Sequence, residues 1–236
     1  MKNSIVLGVL IITALFPIRA QEYTPEVLTG KVQKTMQDEF SGLQPEVVEA
    51  FHKMAAAAAE EGIKLKIVSG FRSYEKQSEI WNNKYKEYRK DGLMPPEAVR
   101  KIIEYSTIPG TSRHHWGTDL DIIDEEPGIK EKVLDPQKFM EGGPFHKMKL
   151  WMDDHAADYG FLLVYTDNSD RKGFHYEPWH YSYAPISKNM LKAYRELNLV
   201  KTLRTSRLLG GQILTASFME QYTKEQILDI NPDLID

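Results

Sequence analysis

The pattern of apolar and polar positions divides the chain into a short apolar leader and a longer amphipathic body. Residues 5–16 form an almost unbroken apolar run behind Lys2, with Pro17 and then Ala20 closing it. That layout predicts a secretory signal peptide over residues 1–20, cleaved before Gln21, with an uncleaved anchor as the alternative. The run is short for a membrane span, which needs about 20 apolar residues. No later segment is long and apolar enough to cross a bilayer.

The body reads as alternating helices and strands. Val47, Phe51, Met54 and Ala58 recur at helical spacing between Pro45 and Gly62, which predicts a helix over 45–61. Ile63, Leu65 and Ile67 alternate with Lys64 and Lys66, the signature of a half-buried strand ending at Gly70. Residues 74–90 read as a charged helix with Ile80, Trp81 and Tyr85 on its apolar stripe and Lys84–Lys90 as a solvated face. A short helix opens at Pro95-Pro96 and runs to about Tyr105. Thr118–Ile123 reads as a strand, 125–143 as a loop rich in Pro and Gly, and 144–158 as an amphipathic helix. Phe161–Tyr165 and the aromatic Phe174–Tyr183 read as strands, with Pro178 interrupting the second, and 186–197 as a helix. The tail beyond Leu199 mixes a strand near Leu208–Leu214 with short helices. These elements predict an α+β fold: helices packed around a small, mostly antiparallel sheet, in a single domain over 21–236.

Composition narrows the chemistry. The 236 residues carry a net charge of −4, which gives no reason to expect a nucleic-acid partner. There is no cysteine, so disulfides, thiolate nucleophiles and iron–sulfur clusters are excluded. A metal site must use His, Asp and Glu. Four of the seven histidines fall in two short segments, Ser112-Arg113-His114-His115-Trp116-Gly117-Thr118-Asp119-Leu120-Asp121 and His175-Tyr176-Glu177-Pro178-Trp179-His180. Each mixes imidazole with carboxylate, a donor set suited to zinc, and a nearby carboxylate can act as general base on a water. Asp119 and Asp121 share one face of their strand because side chains alternate. On spacing alone a metal site and two unrelated polar strands are equally good readings.

The order of motifs goes further. Ser112, His114, Gly117 and Asp121 reproduce Ser-x-His-x-x-Gly-x-x-x-Asp, Glu177-Pro178-Trp179-His180 reproduces Glu-x-x-His, and Ser69-Gly70-Phe71-Arg72-Ser73 with Gln77 precedes both. Together, over about Val47–Pro185, they resemble the VanY-type D-alanyl-D-alanine metallocarboxypeptidases. The resemblance implies zinc held by His114, Asp121 and His180, with Glu177 as catalytic base. It also implies Arg72 on the substrate carboxylate or oxyanion, and Gln77 and Ser112 around the terminal D-alanine. The implied substrates are peptidoglycan stem peptides, cleaved by an exported, periplasmic or envelope enzyme with D,D-carboxypeptidase action favoured. L,D-carboxypeptidase, D,D-dipeptidase or endopeptidase action are alternatives within the family, and an inactive peptidoglycan-binding module is one outside it. The chain departs from the family pattern at Asp119, where Ala is usual, and at Val164, where Arg often precedes the Tyr. Asp119 is therefore expected either to support a ligand or to compete as one.

Other residues carry weaker signals. His115 and His175 are read as local packing partners. Trp116, Trp179, Tyr181 and Tyr183 are divided between cleft lining and core. Ser73-Tyr74-Glu75-Lys76 matches the Ser-x-x-Lys of serine D,D-peptidases, but the companion motifs are missing: Lys201-Thr202 is followed by Leu203.

Overall fold

The computed structural model describes residues 23–203 and 208–235. The predicted export signal lies outside them. A single turn, α1 (Pro25–Leu28), leads into α2 (Pro45–Glu60), β1 (Leu65–Ser69), α3 (Tyr74–Lys90) and α4 (Pro95–Ile102). Then come β2 (Asp119–Asp124), α5 (His146–His155), β3 (Phe161–Leu163), β4 (His180–Tyr183), α6 (Ala184–Arg195), α7 (Leu199–Thr202) and α8 (Ala216–Tyr222). The fold is α+β, with a four-stranded sheet in the order β1-β2-β4-β3 and every pairing antiparallel.

Two apolar clusters hold the elements together. In the first, α2 buries Val47, Phe51, Met54 and Ala58, the four positions its periodicity singles out, against Leu120 and Ile122 of β2 and the α5 residues Met148 and Met152. In the second, Leu28, Trp81, Val99, Ile102 and Trp116 meet Met190, Leu191 and Tyr194 of α6 and residues of the tail. β2, whose Leu120, Ile122 and Ile123 belong to the first cluster, is buried along its whole length. Ser73 caps α3, its hydroxyl accepting from the Lys76 N–H at 3.1 Å. That satisfies one of the four unpaired amides of the helix start, so this serine has a structural role.

Several strands are shorter than expected. β3 stops at Leu163 and β4 begins only at His180, so Phe174–Trp179 is irregular. Pro178 has no amide to donate, and the Glu177 N–H bonds instead to the Tyr165 carbonyl at 3.1 Å. Leu208–Leu214 is a turn followed by a 3₁₀ turn at Gly211–Ile213, because consecutive Gly210 and Gly211 favour a left-handed bend over a ladder. The 125–143 loop contains one short 3₁₀ turn, Pro136–Phe139, and Phe139 anchors it in the first cluster.

The tail braces the middle of the chain. The Tyr222 hydroxyl accepts from the Ile108 N–H at 3.2 Å and meets the Thr111 hydroxyl at 2.9 Å. Asp229 accepts from the Gly173 N–H at 3.1 Å, and the Asn231 amide donates to the Leu163 carbonyl at 2.9 Å. Segments 106–111 and 164–174 are thereby fixed from behind.

Candidate metal centre and cleft

β2 and β4 are neighbours with Asp121 opposite His180, so the two motifs meet by register. His114 arrives from a 3₁₀ turn, Arg113–Trp116, that Gly117 ends at φ +69°. A Cβ at Gly117 would lie 2.4 Å from the Gly42 carbonyl, so both the turn and the close approach require glycine. On the other side, β1 carries an irregularity between Ile67 and Ser69 that sets Ser69 opposite Asp121.

His114, Asp121 and His180 offer ligand atoms that all lie within 4.8 Å of one another, and all three residues are buried. His114 Nε2 is 3.4 Å from Asp121 Oδ2, and His180 Nδ1 is 3.5 Å from Asp121 Oδ1. The remaining ring nitrogens are occupied: His114 Nδ1 faces the Gly70 carbonyl at 2.7 Å, and His180 Nε2 faces Asp119 Oδ2 at 3.0 Å. Each imidazole is thus oriented by an oxygen on its far side, the arrangement that fixes tautomer and direction in metal-binding histidines. Asp121 Oδ1, fully buried, has no hydrogen-bond partner. An orphaned buried carboxylate oxygen facing imidazole nitrogens fits a divalent cation of zinc's ligand preference.

Asp119 stands behind this group and accepts from Arg113 Nε at 2.7 Å, Thr118 Oγ1 at 2.9 Å and Ser182 Oγ at 2.7 Å, besides facing His180. Burial alone would raise its carboxyl pKa, but the Arg113 guanidinium and then His180 outweigh this and hold it well below the usual range. It orients a histidine and is absent from the triad of converging donors, which favours the first of the two expectations for this residue. For His180, burial would lower the pKa, yet the hydrogen bonds to Asp119 and Glu177 and the charge of Asp121 push it up to about 10. A cation bound there must displace that proton.

The triad opens into a cleft of about 280 Å³ lined by Arg72, Ser112, Glu177, Trp179, Tyr165 and Lys84 among others. Glu177 Oε2 lies 3.1 Å from His180 Nδ1, at the mouth of the triad. Arg72 donates to Ser69 Oγ at 2.7 Å and Gln77 Oε1 at 3.0 Å, and its guanidinium is 3.9 Å from Asp121. Gln77 is fully buried. Its oxygen serves Arg72, and its nitrogen donates to the Thr107 carbonyl at 2.8 Å and Ser106 Oγ at 3.3 Å. With both ends engaged, Gln77 sits behind Arg72 and orients it.

Of the aromatic candidates, Trp179 lines the cleft, while Trp116 and Tyr181 are core. His115 is buried, with Nδ1 on the Arg72 carbonyl at 2.5 Å and Nε2 accepting from Gly110 at 3.0 Å. His175 is exposed and packs on Tyr105 at 4.7 Å. Lys84, expected on a solvated face, is half-buried at the cleft instead, and the cleft positions of Tyr165 and Arg113 were not foreseen. Tyr165 packs edge-on to His180 at 4.9 Å. The signal for Lys84 was its spacing, seven residues after Gln77 on one helix. The signal for Arg113 was the extra carboxylate at Asp119.

A family model, VanY: D-alanyl-D-alanine carboxypeptidase, matches residues 41–186. The chain belongs to the VanY family. A D-alanyl-D-alanine carboxypeptidase of Enterococcus faecalis is 30% identical to this chain over 152 residues, 64% of this chain and 52% of that protein. The chain therefore spans about half the length of that relative. VanYB, solved in complex with D-alanine-D-alanine, is similar with a TM-score of 0.52 and 25% identity, covering 74% of this chain and 90% of its own. A VanY from a VanB-type resistance cassette, a D,D-pentapeptidase solved with Zn(II), has a TM-score of 0.50 and 25% identity over 73% of this chain and 90% of its own.

Proposed function

We propose that the protein is an exported zinc carboxypeptidase of the cell envelope that removes the terminal D-alanine from peptidoglycan stem peptides. The observation that carries this reading is the convergence of His114, Asp121 and His180 with Glu177 and Arg72 in one cleft. Relatives named for D-alanyl-D-alanine carboxypeptidase activity, and a neighbour solved with Zn(II), support it.

His114, Asp121 and His180 would hold the ion. Zinc bound there would supply a Lewis acid that polarises the scissile carbonyl and acidifies the attacking water. Glu177 takes the proton of that water and passes it to the leaving amine. Arg72, permanently charged and held in place by Ser69 and Gln77, anchors the free terminal carboxylate that a carboxypeptidase must recognise. Ser112 lines the same wall and offers a hydroxyl to the terminal residue.

The test is incubation of the zinc-loaded protein with defined tri-, tetra- and pentapeptide muropeptides, with and without chelator, followed by mass measurement. Loss of one alanine from the pentapeptide, abolished by chelator and by Glu177→Gln with zinc retained, is expected. Unchanged penta- and tetrapeptides in the presence of zinc would sink the assignment. Full turnover by Glu177→Gln would sink only the role of the base.

A further inference from the structure

The charged stretch Lys84–Lys90 contains one charged residue that does not behave as part of a solvated face. Lys86, Glu87, Arg89 and Lys90 are exposed, whereas Lys84 is half-buried and lines the catalytic cleft. Helical geometry explains the exception. Gln77, Ile80 and Lys84 stand at i, i+3 and i+7, a single stripe down α3. Gln77 holds Arg72 from behind, and Ile80 and Lys84 continue that stripe along the cleft wall.

The Lys84 amine has no partner to account for its position: among the described residues it makes no ion pair or hydrogen bond. Burial pulls it below the usual lysine range, the charge of Glu177 works the other way, and Arg72 adds to the lowering. Of the charges it feels, Glu177 and Arg72 belong to the cleft, and Glu87 on the exposed face of its own helix adds a weaker pull upward. Partly desolvating an ammonium that no carboxylate contacts is unfavourable, and a bound anion in contact with it removes the penalty.

We infer that Lys84 receives a second carboxylate of the substrate, carried by a side chain on the acyl side of the scissile bond, while Arg72 takes the terminal one. The inference rests on the carboxypeptidase reading. Two cations for one carboxylate is the competing arrangement; the backbone spacing favours two separate ones. Seven residues of helix separate Lys84 from the residue that fixes Arg72, a rise of about 10 Å. That is about the length of three extended residues. A stem peptide has such a carboxylate when its third residue is diaminopimelate. Diaminopimelate bears that carboxylate beside its distal ammonium, whereas lysine bears the ammonium alone and offers Lys84 no counter-charge. Lys84 would thus select diaminopimelate-type over lysine-type peptides.

Matched stem peptides differing only at the third residue test this with the zinc-loaded protein. The wild-type protein is expected to prefer the diaminopimelate peptide by about tenfold or more in kcat/KM, the scale of one charge-assisted hydrogen bond. Lys84→Met should lose that preference, chiefly through KM on the diaminopimelate peptide. Lys84→Arg should keep it, which separates charge from folding, and Lys84→Glu should reverse it. An equal loss on both peptides would place Lys84 on the terminal carboxylate or in the fold and overturn the inference. Wild-type turnover without preference would overturn it while leaving the carboxypeptidase reading intact. No turnover of either peptide with zinc bound would remove both.

Discussion

Asp119 and Asp121 lie two residues apart on one face of one strand, and they end in opposite hydrogen-bonding states. Asp119 is saturated by the protein: a guanidinium, two hydroxyls and an imidazole satisfy its two oxygens. Asp121 is surrounded by nitrogens at 3.4 to 3.9 Å, and its Oδ1 bonds to nothing. Burial is the same for both, so burial does not distinguish a supporting carboxylate from a ligand. Unspent hydrogen-bonding capacity does. A carboxylate completed by the fold gives orientation to its neighbours, and one left incomplete among imidazoles is available to a cation.

The largest effect that could break this contrast is at Asp121. Asp121→Asn should abolish tight zinc binding and cut turnover at least about a thousandfold, given that Lewis-acid stabilisation is worth several kcal/mol. The melting temperature of the metal-free protein should change little. Calorimetric zinc titration and thermal unfolding of one preparation measure both.

Next is Asp119→Ala, which leaves the Arg113 guanidinium buried without its counter-charge. Loss of one partner of a buried pair costs about 3–5 kcal/mol, so denaturant unfolding should show a large destabilisation even without metal. Zinc affinity should fall by about 10–100-fold, as when the support of a ligand histidine is removed. If Asp119→Ala left stability intact and abolished zinc as completely as Asp121→Asn, the two aspartates would have exchanged roles.

A pH titration sharpens the contrast one layer out, at His115. Burial depresses its pKa from 6.5 to about 3, against the hydrogen bond to the Arg72 carbonyl. Between those values the unfolded chain takes up a proton that the folded one does not. Stability is therefore present above pH 6.5 and is lost as pH falls, by about 1.4 kcal/mol per unit. Unfolding curves from pH 6.5 down to 5, before most carboxylates titrate, should be steeper for the wild type than for His115→Gln. Equal slopes would mean that His115 charges freely in the fold.

The smallest expected effect is at Ser73. Ser73→Ala removes the α3 cap and should cost about 1 kcal/mol of stability with peptidase turnover retained. A collapse of turnover without a stability change would revive the serine-peptidase reading of Ser73-x-x-Lys76.

The elements that were legible in the sequence are those whose stability is local. The periodicity of Val47, Phe51, Met54 and Ala58 gives α2, and the caps and prolines place α3 and α4 within a few residues. The motif residues that meet at the cleft were legible too, because a shared site demands fixed residue types at fixed spacing. Strand lengths were not. Phe174–Trp179 has strand composition, but its amides pair outside a ladder, and Leu208–Leu214 has apolar residues that pack as a turn. Lys84 was only half readable: its spacing from Gln77 puts both on one helix stripe, but a lysine in a run of charges looks solvated until the opposing wall is known.

By itself, then, the sequence determined the donor set, its family likeness, the α+β class and the amphipathic helices, all properties of residue type and short-range spacing. Tertiary structure decided which of two neighbouring aspartates is spent and which is free, that Gln77 acts behind Arg72, that the tail braces the cleft and that Lys84 turns into it. Each of those depends on which groups meet from distant parts of the chain. Hydrogen-bond saturation and desolvation are set by that meeting, and no single segment encodes it.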